Sequence, residues 1–515
     1  MIIYPNDSVS NKYLSLLVEI VALLLIVFAG GCSSPKKQNP NIIIIYVDDL
    51  GYGDVGSYGA SNVKTPNVDY LASKGLKFTD AHCSASTCTP SRFALLTGTY
   101  AFRKKAAVLA GDASMLLTPG SETMPGALQK AGYTTAVVGK WHLGLGKGTI
   151  DWNSKIIPSP NETGFDYSFI IPATTDRVPT VYVENGKVTG LDSADPIKVS
   201  YVNVIGNDPT GLSNPEMLKM KADTQHSNTI VNGISRIGYM SGGKLARWKD
   251  EDIADVLTEK AVSFIRLHKD KPFFLYFSIP DIHVPRAPHP RFVGTTGMGK
   301  RGDVISEMDW MTGEIIKAIN KSGLTDNTLI IFSSDNGPVL DDGYADNAVE
   351  LLGNNDPSGG FRGGKYSAFE AGTRVPTITY WPGTIKPGTS DAVWSQVDLF
   401  ASLADLTGQQ LSPGTGPDSE NMLDVLLGKS EKGREYLLEE SYTLSLRKDD
   451  WKYISPEENP TPVWLKRKRI ESGLLPVPQL YNLKSDPGEK NNVAQSYPEI
   501  VSKLEEKLKM IKGAE

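Results

Sequence analysis

Cysteine is scarce in this chain: three in 515 residues, at positions 32, 83 and 88. That number excludes the disulfide framework that staples small exported domains. A basic excess is missing too, with 53 Lys and Arg against 59 Asp and Glu and a net charge of -6. Nucleic acid is therefore excluded as a main partner, since binding it calls for a strongly positive surface. Internal repeats and low-complexity tracts are also lacking, which sets aside solenoids and arrays. What remains is an ordinary globular composition, at a length beyond what one hydrophobic core usually organises.

Only the N-terminus carries a long apolar run. After Lys12 it extends from Leu14 to Phe28, interrupted by Ser15 and Glu19, and ends in Ala29-Gly30-Gly31-Cys32. A short run closed by small residues reads as a secretory signal, and Glu19 inside it argues against an uncleaved anchor. The segment resembles a bacterial lipoprotein signal, with Ala29 where leucine is usual. The expected organisation is a lipoprotein signal peptide at 1–31, a tether at 32–40 with Cys32 lipidated, a catalytic region at 41–432 and a C-terminal subdomain at 433–515. The expected address is the outer membrane, on the periplasmic face, with membrane contact only through the lipid.

Asn41 to Val47 (NIIIIYV) is β-branched without polar alternation, the pattern of a strand covered on both faces in a parallel sheet. Thr134–Val138, Phe273–Ser278 and Thr328–Ser333 are further strand candidates. Helix start signals precede Asn67–Ser73, a short helix after Thr123-Met124-Pro125, Asp250–His268 and Asp303–Lys321. Alternating strands and helices predict an α/β fold with a mainly parallel sheet between helices. Such folds place their sites beyond the carboxyl ends of the strands. From about Gly433, short aromatic segments and a charged helix at Pro498–Lys512 predict a smaller antiparallel sheet with one packing helix.

Two polar pairs sit at predicted strand ends: Asp48-Asp49 and Asp335-Asn336. Each alone reads as a cap or turn. Together they form an all-oxygen set that suits a hard cation such as Ca²⁺ or Mg²⁺ rather than zinc. Adjacent carboxylates repel unless a cation lies between them.

The most specific stretch is Cys88-Thr89-Pro90-Ser91-Arg92 with Leu96-Thr97-Gly98, seven specified residues whose chance probability is ~10⁻⁹ per position. It resembles the signature of type I sulfatases, C-x-P-S-R-x-x-x-L-T-G, whose cysteine a maturation enzyme oxidises to formylglycine. An alkaline-phosphatase-like fold and sulfate-ester hydrolysis follow as expectations from that resemblance. So do a Ca²⁺ ion on Asp48, Asp49, Asp335, Asn336 and the modified Cys88, and a partner that is either a formylglycine-generating or an anaerobic sulfatase-maturating enzyme. Gly139-Lys140-Trp141-His142 and Asp281-Ile282-His283 match other family segments. The resemblance assigns Lys140 to the sulfate and leaving-group oxygen, His142 to proton removal, and His283 to protonation of the leaving alkoxide. Gly363-Gly364-Lys365 and Glu370-Ala371-Gly372-Thr373-Arg374 resemble a further segment. There Lys365 contacts sulfate, Arg92 holds the charges on the metal side, and Glu370 with Arg374 forms a structural ion pair.

On the substrate side, Thr174 is expected to supply a hydroxyl to sulfate, and Asp176, Arg177 and His289 to face sugar hydroxyls, with Asp341 to Tyr344 nearby. His82, His226 and His268 match no family segment and are expected to be structural or exposed. Cys83 is expected to pack as a small apolar residue. The chain most resembles carbohydrate sulfatases of glycan-degrading bacteria, which implies 6-O- or 4-O-sulfated galactose or N-acetylgalactosamine as substrate. A phosphonate or phosphodiester hydrolase of the same superfamily, and a silent sulfoglycan-binding lipoprotein, stand as alternatives.

Overall fold

A computed structural model describes residues 1–2, 39–459, 461–468 and 470–513. The expected signal peptide beyond its first two residues, Cys32 and nearly all of the expected tether lie outside the described residues. From Pro40 onward the chain forms one compact unit.

Its frame is a ten-stranded sheet. In spatial order the strands are Gly388–Ser390, Leu76–Phe78, Thr377–Tyr380, Thr328–Ser334, Asn41–Val47, Phe273–Ile279, Thr134–Lys140, Tyr167–Ile171, Val183–Glu184 and Lys187–Val188. The five strands from Thr328–Ser334 to Tyr167–Ile171 run parallel, and antiparallel partners flank them. The reason lies in Asn41–Val47, every residue of which is buried. Ile42, Ile44 and Tyr46 enter one core with the helices Cys88–Thr97, Met124–Lys130 and Leu399–Leu406. Ile43, Ile45 and Val47 enter the other, with Pro66–Lys74, Ile253–Leu267 and Gly299–Lys321. A strand apolar on both faces is the sequence form of this three-layer arrangement. Ile253–Leu267 shows the matching helical period, burying Leu257, Ala261, Phe264 and Ile265.

The C-terminal part carries a separate antiparallel sheet, Leu437–Glu440, Leu444–Lys448, Trp451–Ile454 and Gln479–Asn482. Helix Pro498–Gly513 packs on it through Leu504 and Leu508, in a core shared with Ala94, Tyr100 and Val397 of the larger part. The sequence-predicted strands and helices all appear, with ends shifted by a few residues. Among the described residues, no helix is long and apolar enough to cross a membrane.

Candidate active site

Because the five central strands are parallel, their carboxyl ends open on one edge, and each delivers polar residues there. Asp48 and Asp49 leave Asn41–Val47, Asp335 and Asn336 leave Thr328–Ser334, and Lys140 ends Thr134–Lys140. His283 follows Phe273–Ile279, and Thr174 to Arg177 follow Tyr167–Ile171. Gly139 is required by this packing: at φ 113 it lies so close to Ser278 that a Cβ would sit 1.9 Å from that residue's carbonyl oxygen.

The carboxylates form one buried cluster. Arg92, on the helix that Cys88 begins, donates from Nε to Asp335 Oδ2 at 2.9 Å, and its Nη2 lies 2.7 Å from the same oxygen. Lys140 Nζ donates to Asp48 Oδ2 at 2.6 Å, and Lys365 Nζ to Asp49 Oδ2 at 2.9 Å. Asn336 Nδ2 donates to Asp49 Oδ1 at 2.7 Å, which fixes the amide with its oxygen free. Asp48 Oδ1 and Asn336 Oδ1 are buried acceptors without a hydrogen-bond partner. Burial pushes the Asp48 carboxyl well above its ordinary value, and Lys140 does not offset it. Burial also pushes Asp335 up, but Arg92 and Lys140 outweigh it and hold the group at about 2. Unpartnered oxygens on Asp48 and Asn336, beside Asp49 and Asp335, fit a hard divalent cation. Asp48, Asp49 and His283 also bring ligand atoms within 4.8 Å of one another. Asp49 and His142 stand at φ 61 and 54, uncommon for side-chain-bearing residues and typical of functional sites.

Cys88 is the first residue of its helix and is 2% exposed. Burial pushes its thiol up, so the unmodified side chain is a poor nucleophile. His142 Nε2 lies 2.9 Å from the Leu109 carbonyl and Nδ1 has no partner. That contact places the proton on Nε2 and leaves Nδ1 as a free base. Burial and then Lys140 hold His142 well below the ordinary histidine range, so it is neutral. His283 Nδ1 donates to the Val284 carbonyl at 2.7 Å, and Nε2 lies 4.0 Å from Asp49. Burial and then Lys365 lower it to about 4.

Above this cluster lies a cavity of about 230 Å³ reached by Cys88, Asp176, Arg177, His283 and Lys365. Thr174 does not line it. Its hydroxyl bonds Asp176 and accepts from Arg177 Nη1 at 2.6 Å, so it holds that pair instead of facing the cavity. His289 is corrected as well: it lies outside the cavity, with Nε2 3.7 Å from Asp255 and its backbone N–H bonded to Glu307. His226, expected to be structural or exposed, is buried and lines the cavity. Its Nε2 lies 3.3 Å from Asp176 and its Nδ1 2.7 Å from Asp223. These carboxylates outweigh burial and raise it toward imidazolium. Gln225, Tyr366, Tyr442, Trp464 and Lys468 also reach the cavity, and no motif marked them. Asp342 does so too, between Lys365 and Lys468. Glu370 and Arg374 pair at 3.2 Å, Cys83 is buried, and His82 is buried far from solvent, as the sequence implied.

A mixed, mainly parallel sheet with a polar, cation-rich cleft at its carboxyl edge fits an α/β enzyme that acts on an anionic substrate. The chain belongs to the sulfatase family, whose model matches residues 40–409. It is 53% identical over 482 residues, 93% of this chain and 94% of the relative, to an N-acetylgalactosamine-6-O-sulfatase of Bacteroides thetaiotaomicron. Human arylsulfatase A is 31% identical over 514 residues, 95% of this chain and 90% of that protein. Among solved structures, one described with the metabolism of multiple glycosaminoglycans by Bacteroides thetaiotaomicron superposes with a TM-score of 0.91 at 52% identity, covering 92% of this chain and all of the other. The chain is thus a sulfuric ester hydrolase.

Proposed function

We propose that this sulfatase removes the 6-O-sulfate of N-acetylgalactosamine or galactose from sulfated glycans, using formylglycine made from Cys88 and one Ca²⁺. The observation that carries the sugar assignment is the 53% identity, over nearly the whole chain, to an N-acetylgalactosamine-6-O-sulfatase. It favours the 6-position over the 4-position. The pocket agrees in character: Asp176, paired with Arg177 and His226, and Arg177 beside it present polar groups to sugar hydroxyls.

Asp48, Asp49, Asp335 and Asn336 would hold the calcium, which supplies a Lewis acid beside the sulfate oxygens. With it, three carboxylates face three side-chain cations and a divalent ion, and the positive surplus attracts a sulfate monoester. Formylglycine, as its hydrate, would supply the oxygen that attacks sulfur and a second hydroxyl through which sulfate is released. Arg92 keeps Asp335 ionised and oriented, and Lys140 and Lys365 steady the sulfate oxygens. His142, neutral with Nδ1 free, takes a proton. His283 carries one to the leaving oxygen from Nε2, as the arriving anion offsets the field of Lys365 that depresses it.

Because Cys88 is buried, the maturation enzyme, whether a formylglycine-generating or an anaerobic sulfatase-maturating one, meets the chain before it folds. The 1–31 signal and Cys32 support export as an outer-membrane lipoprotein facing the periplasm. Loss of lipid labelling in Cys32→Ala tests this.

The central experiment is sulfate release by the matured protein, with formylglycine at position 88 confirmed by mass. Its panel holds 6-, 4- and 3-sulfated galactose and N-acetylgalactosamine and a phosphodiester. Preferential turnover of the 6-sulfates is expected. Turnover of the phosphodiester alone overturns the proposal, and so does preference for a 4-sulfate.

A further inference from the structure

The catalytic cavity shares walls with two larger ones. One, of about 470 Å³, meets it at Gln225, Trp464 and Lys468, and another, of about 780 Å³, meets it at Lys468. Lys468 therefore stands where all three meet. Trp464 belongs to the short helix Val463–Arg467, which Lys468 directly follows, in the connection between strands Trp451–Ile454 and Gln479–Asn482 of the C-terminal sheet. This helix is fastened to the site at two points. Trp464 sets its edge against Tyr366 at 5.1 Å between ring centroids and lies 6.4 Å from Tyr442. Lys468 Nζ pairs with Asp342, whose other oxygen accepts from Lys365 at 3.1 Å and from Tyr366 Oη at 3.3 Å. The wall is thus tied by one carboxylate to the lysine that approaches the sulfate.

We infer that Trp464 and Lys468 are specificity-determining residues: they close the cavity around one sulfated sugar and confine the reaction to chain ends. At about 230 Å³ the cavity has room for a single ring with its sulfate, below the roughly 300–1,000 Å³ of pockets that take larger ligands. An internal sugar has to lead chain out on both sides, and the way into the neighbouring cavities runs through these two side chains. Their removal would widen the passage between the cavities they line. The inference rests on the substrate class proposed above, a sulfated sugar.

The test uses the full matured protein and two pentasaccharides that each carry one 6-O-sulfate, on the terminal or on a central N-acetylgalactosamine. kcat/KM is measured on both, and on the 6-sulfated monosaccharide, for wild type, the double variant Trp464→Ala/Lys468→Ala and the single variant Lys468→Gln. Wild type is expected to act on the terminal position and to leave the central one. In the double variant the terminal reaction weakens through KM while the central one rises by about tenfold, the discrimination that one pocket contact supplies. Lys468→Gln shifts the ratio the same way by less, which keeps the test intact if the double variant folds poorly, and Lys468→Arg restores the wild-type ratio. Parallel loss on both pentasaccharides would overturn the inference, because a merely supporting wall has no reason to change their ratio. A wild type that cleaves both positions alike would overturn the inference alone. A wild type inactive even on the 6-sulfated monosaccharide would overturn the substrate reading first.

Discussion

Among the described residues, two buried clusters of carboxylates and cations differ in how closely a cation meets the oxygens that lack a hydrogen bond. At the seam between the large sheet and the C-terminal sheet, Asp80, His82 and Glu370 come as close as metal ligands do, just as Asp48, Asp49 and His283 do in the site. Yet in the seam even the oxygens without a hydrogen bond, Glu439 Oε2 and Glu489 Oε1, face the ammonium of Lys452. Asp80 takes two bonds from Arg447 at 2.8 Å each, and Glu370 is held by Lys452 at 3.0 Å and Arg374 at 3.2 Å. Lys452 also lies 3.1 Å from Glu439 and 3.7 Å from Glu489. In the site, by contrast, Asp48 Oδ1 has no hydrogen bond and only Arg92 Nη2 at 4.0 Å, and the neutral Asn336 Oδ1 is buried without a hydrogen bond. A cluster whose unbonded oxygens sit against a cation of the chain holds the fold together, and one whose unbonded oxygens lack a close cation is built for something that arrives.

The strongest way to test that division is to remove the nucleophile. Cys88→Ala, by the precedent of enzymes stripped of a nucleophile, should lose at least ~10⁴-fold in kcat while its thermal unfolding stays close to wild type, since a small buried side chain is replaced by a smaller one. Sulfate release and calorimetry together check this. A full loss of stability with the activity would mean that Cys88 serves packing and not chemistry.

Next comes the seam. Lys452→Met leaves Glu370, Glu439 and Glu489 without their shared cation, and breaking a buried pair on one side costs ~3–5 kcal/mol. Denaturant unfolding should show that loss, with kcat of the remaining folded enzyme little changed. The converse substitution, Asn336→Ala, removes one oxygen from the proposed ion's shell. A loss of roughly 10–100-fold in calcium affinity is expected, the scale on which damage to a metal's surroundings is felt. Calcium titration of the chelated protein reads it, by activity and by melting temperature, and wild type and Lys452→Met should share one affinity.

What the sequence disclosed follows the same division. The site's floor was legible because each of its residues adjoins a strand whose composition announces it: Asp48 and Asp49 after NIIIIYV, and Asp335 and Asn336 after TLIIFSS. Parallel strands bring such ends together without further information. The walls were not legible. His226, Trp464 and Lys468 stand in or directly after short helical turns within the connections, where position depends on tertiary contacts and too few residues repeat for a periodicity to point inward. Only Asp223, which caps the turn holding His226 through the backbone N–H groups of Gln225 and His226, left a local trace. His289 misled because it lies six residues beyond His283, yet the chain turns away after Arg286, which is anchored on Asp346 and the Val339 and Leu340 carbonyls. The seam was hidden for another reason: Lys452 sits in a short aromatic strand, and only folding reveals that its ammonium faces three glutamates.

The smallest expected effect separates the clusters by pH. His82 is fully buried between Asp80, 2.9 Å from Nε2, and Glu439, 3.5 Å from Nδ1, with Glu370, Arg374, Arg447 and Lys452 around them. Burial pushes it down, but hydrogen bonds to Asp80 and Glu439 outweigh this and raise its pKa. The folded protein then keeps a proton that the unfolded chain gives up near the ordinary value of about 6.5. Stability from this group is complete below that value and is lost as pH rises through the folded one, by at most ~1.4 kcal/mol per pH unit. Glu489, pushed up by burial to about 8, acts in the same direction because its folded form also retains a proton. The melting temperature of wild type should therefore fall as pH rises, with the Glu489 share beginning near its ordinary value of about 4.5 and the His82 share near about 6.5. His82→Gln should fall less steeply and keep the share of Glu489, and His82→Gln/Glu489→Gln should fall less steeply still, with the remaining slope left to other buried carboxyls such as Glu307 and Glu440. Equal slopes in wild type and His82→Gln would show that His82 is neutral in the folded seam, and that its carboxylates are balanced by Lys452, Arg374 and Arg447 alone.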